Sequence, residues 1–168
     1  MSIAFVSAYL NDHLSGAVAA LELLDRLETA HAGAPIATLA AGLREDIAAD
    51  RGVLESLMGR LGIAQAPTSK ATAWLAEQAA QLKLWLDDPS GGGLRLLETF
   101  EALSLGIEGK RLMWRSLKAA AADRVEFRDL DFATLERRAV EQRAGVEAFR
   151  LGAAKGALGG ATPPTTAP

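Results

Sequence analysis

Four polar residues stand where apolar ones belong: His13, Asp50, Lys110 and Gln142. Each interrupts a run, spaced in threes and fours, that is otherwise small or apolar. The runs are Leu10, His13, Ala17, Ala20, Leu24; Ile47, Asp50, Leu54, Leu57; Ile107, Lys110, Trp114, Leu117; and Leu135, Ala139, Gln142, Val146, Phe149. That spacing marks one face of an α-helix, so each polar residue is aimed at the same core as its neighbours. A buried carboxylate or ammonium is costly unless paired. The expectation is an Asp50–Lys110 ion pair, with His13 and Gln142 supplying the remaining donors and acceptors of a neutral layer. The plainer alternatives are a hydrogen-bonded core histidine, a Lys110 that snorkels outward along its stem, and a Gln142 exposed by a small helix rotation.

A second chemistry draws on the same residues. Glu101 and Glu108 are seven apart and share a face, as do Asp46 and Asp50, four apart. With His13 they offer oxygen and nitrogen ligands for a single divalent ion, iron, manganese or zinc. Against this, Glu101 and Glu108 serve equally as a solvated edge paired to arginines. Other chemistry is thin. The chain has no cysteine, which excludes disulfides, thiolate catalysis and cysteine-based metal centres. Gly91–Gly93 lacks the Lys-Ser/Thr of a phosphate loop.

The elements that must position these residues are helices. Ala and Leu dominate the apolar half of the composition, which favours helix over strand. Helices are predicted over residues 2–30, 35–61, 70–86 and 94–122, with a last one capped by Asp131 and reaching Leu158. Gly33 and Gly62 are the stops, Pro35 suits a first turn, and "DDPSGGG" is a break. Residues 1–158 are read as one all-α domain, and 159–168, "GGATPPTTAP", as a disordered tail. Four helices are long, roughly 40 Å each. Two hairpins joined by a long connection that holds a shorter helix outline a four-helix bundle with a crossover. Trp74 and Trp85 lie three turns apart on that shorter helix. They pack it onto the bundle or, if exposed, form an interface.

Height along the bundle bears on the polar layer. His13 and Asp50 lie nearly equally far from the turn near Ala32, and Lys110 and Gln142 from the turn near Glu126. All four share one level, roughly 25 Å down, only if the connection returns the chain to the end where it began the second helix. That topology is the expectation.

The segments "YLNDHLSGAVAALELLDRL", "REDIAADRGVLESLM" and "TFEALSLGIEGKRLMWRSL" resemble the first hairpin and third bundle helix of the ferritin-like superfamily, in particular its small bacterial members. The resemblance covers residues 2–156 and is carried by helix layout. It implies a ferritin-like four-helix bundle. Iron-oxidising members of such folds use inward glutamates and paired Glu-x-x-His motifs. Here the one Glu-x-x-His, Glu28 to His31, falls beside a turn, so the resemblance implies a metal layer replaced by degenerate ligands.

Net charge is −3 with acids and bases interspersed, which argues against a nucleic-acid partner. No stretch is apolar enough to span a membrane, and the N-terminus lacks a basic start, so a cytoplasmic protein is expected. Three functions fit this pattern. The preferred one is a non-catalytic bundle without cofactor, acting through protein–protein contacts, as a homodimer. The others are a metal-binding or weakly redox-active protein, and a carrier of a small apolar ligand or lipid. In the last, Gly16, Ala17, Ala20, Gly106 and Gly109 leave room between crossover helix and bundle.

Overall fold

A computed structural model describes residues 2–66, 92–120 and 124–159. Among these, the regular elements are four α-helices and one 3-10 turn: α1 (Ile3–Ala30), α2 (Pro35–Arg60), α3 (Gly92–Ala120), the turn Val125–Phe127, and α4 (Phe132–Leu158). The crossover helix expected over 70–86, Trp74 and Trp85, and the tail beyond Gly159 lie outside the described residues.

Local chemistry sets the ends. Pro35 opens α2, where its missing N–H leaves no helical bond unmade. At the other end Gly62 takes φ +66°, the left-handed conformation that favours glycine. The Ile63 amide then donates to the Met58 carbonyl at 2.9 Å and the Gly62 amide to Gly59 at 3.1 Å. Ile63 and Met58 are both buried in one apolar cluster, so the motif that ends the helix also seals its last turn into the core. Asp131 caps α4 by accepting from the Thr134 amide at 3.1 Å. Helix α3 starts at Gly92, two residues before the expected Leu94, so the glycine run is partly helical rather than wholly linker.

The apolar faces meet in two clusters. One joins Leu10 and Leu14 of α1, Leu54 and Leu57 of α2, Trp114 of α3 and Leu135 of α4. The other joins Leu24 and Leu27, Leu43 and Ile47, Phe100 and Leu103, and Val146. The first therefore gathers the start of α1, the end of α2, the end of α3 and the start of α4. Helices α2 and α3 run in the same direction, and each hairpin, α1–α2 and α3–α4, is antiparallel. Ala66 and Gly92 stand at opposite ends of the bundle, the crossover arrangement. Helix α1 packs beside α3 and α2 beside α4, which leaves α2 and α3 on a diagonal. Leu57 is wholly buried; its truncation to alanine removes a core side chain at a cost of about 2–5 kcal/mol.

No helix is predicted over the stretch "DRVEFRDL", which connects the third bundle helix to the last. It contains a 3-10 turn that drives Phe127 into the core, 4 % exposed, next to Phe132. Its apolar residues, Val125, Phe127 and Leu130, follow no single helical or strand period, so the pattern could not reveal which of them is buried.

Candidate functional site

Asp50 sits on α2 between Ile47 and Leu54, which belong to the two different apolar clusters; Lys110 on α3 likewise separates Ile107 from Trp114. The polar site is thus the boundary between the halves of the core. Lys110 Nζ donates to Asp50 Oδ2 at 2.6 Å and to Gln142 Oε1 at 2.5 Å, and Gln142 Nε2 donates to the same Asp50 oxygen at 3.3 Å. Three helices are tied by this closed triangle. The Asp50 side chain is 2 % exposed and that of Lys110 14 %, so the stem does not carry the ammonium out into water. Burial pulls Lys110 below its ordinary value, opposed by the Asp50 carboxylate.

Arg138 of α4 completes the group. Its Nη1 lies 3.2 Å from Asp50 Oδ1, an ion-pair distance without hydrogen-bond alignment, and its Nη2 donates to the Asp46 carbonyl at 3.2 Å. Sequence reading missed Arg138, although it stands one turn from Gln142 and so faces the same helix.

His13 is the member that stays apart. The sequence placed it in hydrogen-bond contact with the pair, but among the described residues its imidazole makes no hydrogen bond. It meets the Tyr9 ring edge-on at 4.7 Å between centroids. Lys110 and Gln142 share one Asp50 oxygen and Arg138 lies against the other, all from α3 and α4, so the group closes without α1. Burial lowers the His13 pKa and so favours the neutral ring, against the opposing pull of the Asp12 carboxylate.

The metal-ligand set does not converge. Glu108 is held by Arg111 at 2.6 Å and Arg143 at 3.0 Å; the Arg111 hydrogen bond lowers its pKa. Glu101 pairs with Arg150 at 3.5 Å and Asp46 with Arg138 at 3.8 Å, all toward the surface. Among the described residues no group of three or more His, Asp or Glu is spaced to hold a metal ion. The donors around Asp50 do not fit a di-iron centre, because an ammonium and a guanidinium already neutralise the carboxylate. Glu28 pairs with Arg44 at 3.1 Å, beside the first turn.

Of two other features, the first was not legible in the sequence. Asn11, 3 % exposed, accepts from the Ala66 amide at 2.8 Å and donates to the Ala64 carbonyl at 3.3 Å, fastening the exit of α2 against α1. Its partner is backbone, which no side-chain pattern encodes. The second is a cleft of about 570 Å³ between α1 and α3, floored by α2. Gly16, Ala17 and Ala20 line it from α1 and Gly106 and Gly109 from α3, the small residues expected to leave room; His13, Asp50, Lys110 and Trp114 reach its walls.

The described residues therefore define an all-α bundle of two hairpins with an ion-pair triangle at mid-height and a cleft beside it. Compared with known proteins, the chain matches no family model, no curated protein and no solved structure. Among the described residues no helix is long and apolar enough to cross a membrane.

Proposed function

We propose that this chain is a non-catalytic ferritin-like bundle of the cytoplasm, in which an ion-pair cluster stands where di-iron relatives carry metal, and that it acts through protein–protein contacts as a homodimer. The observation that carries the reading is Lys110 Nζ at 2.6 Å from Asp50, the one carboxylate buried among the described residues. An ammonium at that place repels a cation and does the electrostatic work a cation would do. The parallel α2 and α3, and the crossover they require, agree with the ferritin-like layout. For contacts, α1 presents Phe5, 79 % exposed, and the neighbouring α3 presents Leu105, 73 % exposed. Exposed large apolar groups on adjacent helices favour association.

The test has two arms. Purified protein incubated with iron, manganese and zinc salts and then dialysed is expected to hold far less than one ion per chain by elemental analysis. A stoichiometric ion lost on Asp50→Ala overturns the metal-free reading. Sedimentation equilibrium is expected to show a dimer that Phe5→Asp with Leu105→Asp dissociates. A monomer at all concentrations overturns the contact reading.

A further inference from the structure

The cleft between α1 and α3 holds more than empty space. Its volume, about 570 Å³, falls in the range of roughly 300–1,000 Å³ typical of small-molecule sites. Glycine and alanine on both helices keep the room open: a Cβ added at Gly16 or at Gly109 would meet no atom within 4 Å. One wall is Trp114, wholly buried, whose indole Nε1–H finds no acceptor among the described residues. A buried donor left unmade is costly, and a ligand that supplies the acceptor recovers that cost. His13 on the facing helix likewise lacks a hydrogen bond among the described residues. The charges that reach the cleft floor, Lys110 and Asp50, already satisfy each other. Asp12, Glu22, Arg26 and Arg51 also line the cleft, with Arg51 held by Glu55 at 2.8 Å. A charged head seated at Trp114, one turn from Lys110, would find that ammonium already taken by Asp50, so its burial there is costly.

We infer that this cleft binds an uncharged aliphatic molecule ending in a hydroxyl or carbonyl oxygen, which accepts from Trp114 Nε1 while its chain lies among the small residues of α1 and α3. Leu105 and Asp50 line the cleft as well, and the variants below leave both in place, so ligand binding is read separately from dimerisation and metal content.

Decan-1-ol and decanoate are titrated calorimetrically into the full chain. Decan-1-ol is expected to bind one per chain and at least tenfold more tightly than decanoate. Gly16→Leu and Gly109→Leu fill the cleft from opposite sides. Each is expected to weaken decan-1-ol at least tenfold while circular dichroism shows the helices intact. Trp114→Phe removes the donor and is expected to weaken it about fivefold. No binding of decan-1-ol, equal or tighter binding of decanoate, or unchanged affinity in both folded leucine variants overturns the inference.

Discussion

Lys110 and Asp50 join two helices that run parallel and lie diagonally across the bundle, Nζ to Oδ2 at 2.6 Å. Neighbouring helices can meet through ordinary apolar packing. A diagonal pair is linked only by side chains long enough to cross the centre.

Removing the ammonium should therefore cost more than its contacts. Lys110→Ala takes the hydrogen-bonded counter-ion from Asp50, 2 % exposed, leaving Arg138 as its one ion-pair partner among the described residues, and is expected to destabilise by about 3 kcal/mol. Lys110→Ala combined with Asp50→Ala should recover part of that loss. Urea denaturation of both single variants and the double variant closes the cycle; equal, small, additive effects would mean the pair is not buried.

Asn11 offers a second test. With two of its three backbone partners, Ala64 and Ala66, in the connection that leaves α2 and the third at Ser7, Asn11→Ala is expected to cost about 1–3 kcal/mol. Hydrogen exchange at the Ala66 amide should quicken more than exchange at mid-helix amides. An unchanged Ala66 rate would contradict the hydrogen bond.

His13 sets a pH dependence. Its folded value lies below the ordinary 6.5, so the unfolded chain takes the proton first as pH falls. The stability linked to His13 is complete above about 6.5 and declines as pH drops through that value toward the lower folded one. Urea midpoints measured at neutral, mildly acidic and more acidic pH should fall in the native chain and fall less in His13→Gln. Parallel curves would remove His13 as the cause.

Gly106 tests the open cleft energetically. It is helical, and an added Cβ would meet nothing within 4 Å. Gly106→Ala should stabilise by about 0.5–1 kcal/mol, because alanine loses less backbone freedom in a helix. A lower thermal midpoint would show that the space is not free.

Much of this was written in the spacing of residues. Leu10, Leu24, Leu54, Leu57, Trp114 and Val146 lie buried on the faces their periodicity predicted. Asp50, Lys110 and Gln142 could be seen as interruptions because a polar group on an apolar stripe is costly and must find a partner there. What periodicity cannot give is rotation about the helix axis. A modest rotation decides that α1 turns His13 to the cleft while α4 brings Arg138 to Asp50. Asn11 and Phe127 were hidden for a related reason: Asn11 bonds to a connection and Phe127 belongs to one, and connections have no period.

The triangle at mid-height also acts as a register lock between two halves that touch each other far less than each touches itself. Sliding α3 by one turn, about 5.4 Å, would set Gly106 or Trp114 opposite Asp50 and take away the ammonium that donates to it. Apolar ridges alone tolerate such a slip, since leucine meets leucine again one turn on. A single lysine thus selects one docking of the hairpins from several of similar greasiness.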